Sequence, residues 1–515
     1  MSEVLLGQSY FLRFDPKLRE AMQPYPPLGA LYAAAVLKQH GHDVALFDAM
    51  LAESEAEWEL ALERTRPLLA VLFEDNFNYL SKMCLLRMRE AAFAMIAAAA
   101  RRGATVIVAG SDASDHAAEY LARGARYVVI GEGEATLAEL VDSLLDGTGV
   151  PPEAIAGLAL AGPGGEVVNT LPRGVIRDLD ALPFPAWDLV DVPRYRRLWL
   201  ERHGYFSMNM VTTRGCPYHC NWCAKPIWGQ RYNARSPENV VAELAWLKGT
   251  YAPDHIAFAD DILGLKPSWI QRFADLVEER GVRVPFKSLH RVDLLLKGDT
   301  IPSLARAGAR TVWVGAESGS QKVLDAMDKG TTVAQIYEAA SRLHAAGIEV
   351  CFFLQFGYPG ETREDIAHTL RMVRECAPDD IGVSVSYPLP GTRFFASVRE
   401  QLGVKQNWQD SSDLAMLYRG PFTTAFYRQL HTVVHKEFRA RKALRAILQA
   451  ARRPTSLRRR HLRAAASLAH NLLTLPLARA RLNRLARRPH AGMGPLPHMA
   501  PAQAAAPTAQ EESAP

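Results

Sequence analysis

Eleven short apolar stretches, most of them followed by an amphipathic helical pattern, constrain this chain more than any other feature. Five lie within the first 147 residues, at 4–6, 44–47, 68–73, 105–109 and 127–130. Six more follow at 208–212, 255–259, 284–287, 311–315, 350–356 and 381–386. Strands that alternate with helices predict parallel sheets, because neighbouring parallel strands need a helix-length crossover. The first series predicts an α/β doubly wound, flavodoxin-like domain over 1–147, with a ligand crevice at the carboxyl ends of its strands. The second, over 207–395, predicts a full or partial barrel through right-handed crossovers, with its chemistry at the same strand ends.

The remaining segments read differently. Residues 148–206 are a connector stiffened by Pro151-Pro152 and punctuated by Gly162-Pro163-Gly164-Gly165, with a small hairpin at 158–160 and 167–168. Residues 396–488 turn helical and basic, with amphipathic patterns at 426–448 and 457–485. Between 428 and 488 stand 17 Lys/Arg and one Asp/Glu, so this segment carries +16 and the rest of the chain −11. Four readings fit that charge: a solvated face on packed helices, a cap over a substrate cavity, an interfacial helix on anionic lipid, or a nucleic-acid surface. No recognised nucleic-acid motif accompanies it, so nucleic acid is not expected. The Ala- and Pro-dominated stretch 489–515 reads as a disordered tail. No apolar run reaches the roughly 18–20 residues that span a bilayer. The N-terminus carries no basic region with a cleavage site, so a reduced, cytoplasmic location is expected.

Chemistry enters directly after the first strand of the second series. Three of the six cysteines, Cys216, Cys220 and Cys223, fall within eight residues in the spacing Cys-x3-Cys-x2-Cys. Three thiolates on one loop can hold three irons of a cubane 4Fe–4S cluster and leave the fourth iron open; ferredoxin-type loops supply four. Zinc is the competing reading, but its sites want four Cys/His ligands, and His219 between Cys216 and Cys220 is poorly placed as the fourth. Six cysteines in 515 residues do not make a disulfide framework. Cys84, Cys351 and Cys376 read as buried small hydrophobes.

The stretch Thr213-Arg214-Gly215-Cys216-Pro217-Tyr218-His219-Cys220-Asn221-Trp222-Cys223 resembles the signature of the radical S-adenosylmethionine (SAM) enzymes. The resemblance implies that SAM chelates the open iron and is cleaved reductively to a 5′-deoxyadenosyl radical. Six strands match that family's open barrel. By the same resemblance Asp260, beside Asp261, lies near the SAM amino group. Glu317 and Ser318, in Gly315-Ala316-Glu317-Ser318-Gly319-Ser320, lie near the ribose and methionyl carboxylate. Gly357, in Gly357-Tyr358-Pro359-Gly360-Glu361-Thr362, opens the turn that packs on adenine, and His290-Arg291 join the same mouth.

The first series resembles the cobalamin-binding domain of one large class of these enzymes. Pro26-Pro27-Leu28-Gly29, His40-Gly41-His42-Asp43-Val44 and Gly131-Glu132-Gly133-Glu134 carry that likeness. It implies a corrin held against the crevice by Gly110, Gly131 and Glu132. The Asp-x-His-x-x-Gly motif that supplies a lower cobalt ligand elsewhere is absent, since Asp115-His116 are adjacent. That leaves the lower face open or water-bound, with Glu74-Asp75-Asn76 facing it. Residues 178–188 resemble the segment that joins the two domains in this class. The class implies methyl transfer to a carbon of a small metabolite or natural-product or lipid precursor. Radical cyclisation or rearrangement is the alternative, and a non-catalytic electron carrier or scaffold is a reading from another class. Expected partners are a small-molecule substrate, a low-potential electron donor such as flavodoxin or ferredoxin, and a membrane surface met by the basic helices.

Overall fold

A computed structural model describes residues 2–147, 150–223, 227–451 and 459–487. The tail expected at 489–515 lies outside the described residues. All eleven strand candidates are strands. In the first sheet β1 (Val4–Gly7), β2 (Val44–Phe47), β3 (Leu69–Phe73), β4 (Thr105–Ala109) and β5 (Tyr127–Val129) run parallel. Their order is β2-β1-β3-β4-β5, which reverses direction between β1 and β3 and opens a crevice there. Val4, Leu5 and Leu6 are completely buried, as strands covered by helices on both faces must be.

The hairpin read in the connector, β6 (Leu158–Ala161) and β7 (Val167–Asn169), does not stand apart. It continues the first sheet as an antiparallel edge beside β5. The outermost strand is only three residues long, which limits its exposure as a template for further pairing.

The second sheet is wholly parallel and follows chain order: β8 (Ser207–Met210), β11 (His255–Phe258), β12 (Phe286–His290), β13 (Ala309–Glu317), β14 (Glu349–Phe356) and β15 (Asp380–Val385). Among the described residues β15 does not pair with β8, so the barrel stays open on one side. A two-stranded ribbon, β9 (Thr213–Arg214) with β10 (Asn233–Ala234), projects from its mouth. Alternation sends Val312, Val314, Val350 and Phe352 outward against the helices. Lys287, Trp313 and Phe353 lie on the opposite, lumen face.

Helix Leu28–Gln39 joins the two units. It is buried from Leu28 to Leu37, with Leu28, Leu31 and Tyr32 in the barrel-side core and Ala30, Ala33 and Ala34 in the core of the first sheet. A helix apolar all round is stable only when covered all round. After the barrel, the chain crosses back over the junction. Asn407 donates to the Cys84 carbonyl (2.7 Å), Leu86 N–H to the Trp408 carbonyl (2.7 Å) and Ser411 Oγ to Asp15 (2.6 Å). Helix Thr424–Ala451 then packs on helix Arg363–Cys376, and helix Arg459–Leu485 packs on Thr424–Ala451.

Candidate cluster loop and interdomain cavity

The cysteine loop begins where β8 ends, and three anchors shape it. Asp260, at the end of β11, accepts through one oxygen from Thr212 N–H (2.7 Å), Thr213 N–H (2.6 Å) and Thr213 Oγ (2.8 Å). Its other oxygen is buried without a partner among the described residues. Burial pushes its carboxyl up to about 6 against the pull of those hydrogen bonds. Gly215 takes φ +79°, and a Cβ there would collide with the Arg231 carbonyl across the ribbon, so only glycine lets the loop turn this tightly. Asn221 is the third anchor. Its N–H donates to Met327 O (3.0 Å), its amide to Ala326 O (2.8 Å), and its side-chain oxygen accepts from Tyr358 OH (2.8 Å).

Cys216 is buried, Cys220 and Cys223 are half-buried, and none is in a disulfide. Cations stand beside them. Arg291 points Nη1 at Cys220 Sγ (3.7 Å), lies over the Tyr218 ring (3.5 Å) and donates to Lys329 O (2.9 Å). Lys329 pairs with Glu317 at 2.8 Å, both side chains buried. Burial opposes the Lys329 charge, but Glu317 and Cys220 outweigh it and hold the ammonium above its ordinary range. Glu317 has φ +56°, costly for a non-glycine residue and retained here by the ion pair. Gly315 leaves that pair its room, since a Cβ would stand 2.6 Å from both partners.

Among the described residues no three His/Cys/Asp/Glu side chains converge on one metal ion. Thiolates that each bind a different iron of a cubane are held further apart than ligands sharing one zinc. Three thiols on one turn, with Arg291 and Lys329 beside Cys220, therefore fit a cluster better than a zinc ion.

The other expected contacts distribute unevenly. Ser318 is fully buried, its hydroxyl bonded to Thr369 (3.1 Å) and to Ser320 N–H (3.1 Å). Gly357 is covered by Met416 and Tyr427, and its carbonyl accepts from Tyr418. His290 faces the core and not the mouth, so burial holds it neutral, with its pKa down to about 3. Asp261 reaches across to Lys82 of the first domain (2.6 Å).

In the first domain Gly110 takes φ +147°, and a Cβ would stand 2.7 Å from Glu74 Cβ. Gly131, at φ +79°, donates to Ser114. Both carboxylate oxygens of Glu132 have protein partners, Arg214 and Ile176 N–H. Arg214 also pairs with Glu134 (2.7 Å) and sits between the Tyr32 and Phe77 rings, 5.5 Å from each. All three charged side chains are at most 4% exposed. The first domain thus grips the residue two places before Cys216. The sequence reads Arg214 only as part of the cysteine motif, because its partners lie 82 and 80 residues away.

Between the domains lies a cavity of about 300 Å³. Tyr10 and Tyr25 from the loop after β1 line it, with Asp75 and Tyr79 from the loop after β3. From the barrel come Asn209 and Lys287. It therefore opens at the reversal point of the first sheet and faces the lumen of the second. Asp75 accepts from Gly29 N–H (3.1 Å) and Phe77 N–H (3.2 Å), while Glu74 turns away to accept from Ser9 N–H (3.1 Å). Of the side chains that line it, Asn209 keeps Oδ1 buried without a partner among the described residues. An unpartnered amide oxygen on the wall of an interdomain cavity fits a ligand that can donate a hydrogen bond, as the amides of a corrin do.

Comparison with known proteins agrees with both halves of this arrangement. The radical SAM superfamily model matches residues 210–373 and the B12-binding domain model residues 18–141. An uncharacterized methyltransferase of Pyrococcus horikoshii is 29% identical over 55% of this chain and 60% of its own. The anaerobic magnesium-protoporphyrin IX monomethyl ester cyclase of Synechocystis is 24% identical over 73% of each chain. The solved structure of the radical SAM methyltransferase TsrM from Kitasatospora setae, with cobalamin and a 4Fe–4S cluster bound, superposes with TM-score 0.61. It shares 20% identity over 78% of this chain and 75% of that one. The chain spans about half the length of several curated relatives that it matches.

Proposed function

On the premise that this chain belongs to the radical SAM superfamily and carries a B12-binding domain, we propose that it is a cobalamin-dependent enzyme that transfers a methyl group to an unactivated carbon of a small substrate. The observation that carries this reading is the shared cavity. Residues of the cobalamin-type crevice and of the barrel lumen line one space of about 300 Å³. A methyl donor and a carbon radical must meet in such a space.

Bound cluster, SAM and cobalamin would supply the electron transfer, the radical and the methyl group. The chain's own residues position and shield. Cys216, Cys220 and Cys223 would ligate the cluster, with Arg291 and Lys329 balancing its negative charge. Asp260 holds the backbone of Thr212 and Thr213 with one oxygen and would offer the other to the ammonium of SAM. Glu317 and Lys329 would meet the polar end of SAM. Glu132 would act through Arg214, which it holds beside the cysteine loop. Tyr10, Tyr25 and Tyr79 would line the space around the reacting carbon, and the strap that crosses back from the barrel packs on the junction beside them. The reaction needs a small-molecule substrate, a donor such as flavodoxin or ferredoxin, and a reducing cytoplasm.

The test is anaerobic reconstitution of the full chain with methyl-labelled SAM, a reductant and metabolite extract. The expected outcome is 5′-deoxyadenosine together with labelled product and a corrin spectrum that stays with the protein. Deoxyadenosine without labelled product overturns methyl transfer in favour of radical cyclisation, the second reading, which the cyclase matched over 73% of the chain supports. Absence of SAM cleavage would leave a non-catalytic cluster protein.

A further inference from the structure

The last helix has two apolar faces, and only one of them is covered. Helix Arg459–Leu485 turns Leu475, Ala478 and Leu482 onto helix Thr424–Ala451, where they meet Val433. Gln429 donates to Ala478 O (3.0 Å) and Lys436 to Thr474 Oγ (2.8 Å), which fixes the helix in this rotation. On the opposite side Leu462, Ala466, Ala469, Leu473, Leu477 and Ala480 recur at helical spacing, and all six are exposed. Leu462, Leu473 and Leu477 are 74%, 77% and 75% exposed. The solvent side of a packed helix is ordinarily polar, and a contiguous apolar stripe there marks a contact surface.

Charge flanks the stripe. Arg463, Arg481 and Arg484 are exposed and find no acidic partner among the described residues. Glu437, the single acid between 428 and 488, is engaged by Arg374 (3.1 Å) and Arg479 (2.8 Å). Among the described residues no helix is long and apolar enough to cross a membrane. The pattern is that of a helix lying in an interface, leucines down and arginines at the level of the headgroups.

We propose that the exposed stripe of helix Arg459–Leu485 docks the protein onto an anionic lipid surface. The leucines enter the acyl boundary, and the arginine stems lie beside them while the guanidinium groups reach the lipid phosphates. A second copy of the chain suits this face poorly. Two-fold pairing of the stripe would bring the same arginines together with no carboxylate between them. Nucleic acid would use the charge and leave three large leucines in water. Docking rests on surface chemistry alone and stands whether the enzyme methylates or cyclises.

The experiment is co-sedimentation of the full reconstituted chain with vesicles of phosphatidylcholine, alone or mixed with phosphatidylglycerol. Binding to the mixed vesicles is expected, weakened by salt, with little binding to phosphatidylcholine alone. The double variant L473E/L477E should bind the mixed vesicles roughly tenfold or more weakly, with SAM cleavage and unfolding temperature unchanged. Arg463→Glu with Arg481→Glu should erase the preference for anionic lipid. Failure of the wild type to bind mixed vesicles overturns the proposal. So does binding that L473E/L477E leaves intact. A dimer in light scattering that L473E/L477E dissociates, without vesicle binding, would assign the stripe to a second copy. Leucine-independent binding of duplex DNA that displaces the vesicles would assign the charge to nucleic acid.

Discussion

At the carboxyl ends of the first sheet the acids are engaged by protein. Glu74 takes Ser9 N–H, Asp75 takes Gly29 and Phe77 N–H, and Glu132 and Glu134 take Arg214. At the carboxyl ends of the second sheet, polar capacity is left over. Asp260 keeps a buried oxygen without a partner, and Arg291 and Lys329 gather around Cys220. Both ends are made by the same strand–helix alternation, yet the acids of the first are engaged by protein donors while Asp260 of the second keeps an oxygen for a ligand. The contrast teaches that the cobalamin-type domain contributes more than a crevice. Through Arg214 it holds the loop on which the cysteines stand, so the two domains work as one mechanical unit.

The comparison breaks most completely at the cysteines. Cys220→Ala should abolish cluster absorbance and lower SAM cleavage by about a thousandfold or more. Cys351→Ala, in a strand of the same barrel, should leave iron content and cleavage intact and cost only about 1 kcal/mol of stability. Equal losses at both positions would refute the assignment of the loop.

Arg214→Met tests the brace. It leaves Glu132 and Glu134 buried without a cation, a change that costs about 3–5 kcal/mol when one partner of a buried ion pair is removed. Thermal unfolding should show that loss, together with poorer cluster retention. Adding Glu132→Gln and Glu134→Gln should restore much of the stability. A single variant as stable as wild type would show that the domains do not grip each other here.

The smallest effect is a pH slope. Burial pushes the Glu361 carboxyl up to about 8 from 4.5, even though Gly357 N–H pulls it down. The folded state therefore holds a proton that the unfolded state releases between these values. Stability from this group is complete below about 4.5 and falls as pH rises toward about 8, by at most about 1.4 kcal/mol per pH unit. His255 and His290, held neutral by burial with values near 3, act oppositely and cost stability as pH falls below 6.5. The difference in unfolding temperature between Glu361→Gln and wild type should isolate the Glu361 slope, with the variant the more stable at pH 8. A pH-independent difference would refute it.

Local pattern was enough to read both sheets. Continuous apolar runs such as 68–73 and 350–356 became the strands Leu69–Phe73 and Glu349–Phe356, because a strand covered on both faces writes its burial into consecutive residues. The cysteine loop was legible for the same reason, since its three thiols lie within eight residues. The partners of those elements were not. The sequence reads Glu132 as part of a recognisable turn and does not show its pairing with Arg214, 82 residues away. The hairpin at 158–168 looked like part of a linker until its strands were seen beside β5.

The last helix shows the same division from the other side. Its alternation of leucine and arginine predicted one amphipathic face, and its sequence alone could not say which leucines would be covered. Sequence by itself determined the elements, the parallel sheets and the three-thiol loop, because backbone periodicity and ligand spacing are short-range. Only the tertiary structure decided which charges are buried together, which oxygens stay unpartnered and which leucines face water. Those depend on the distance between residues far apart in the chain, and no local pattern encodes that distance.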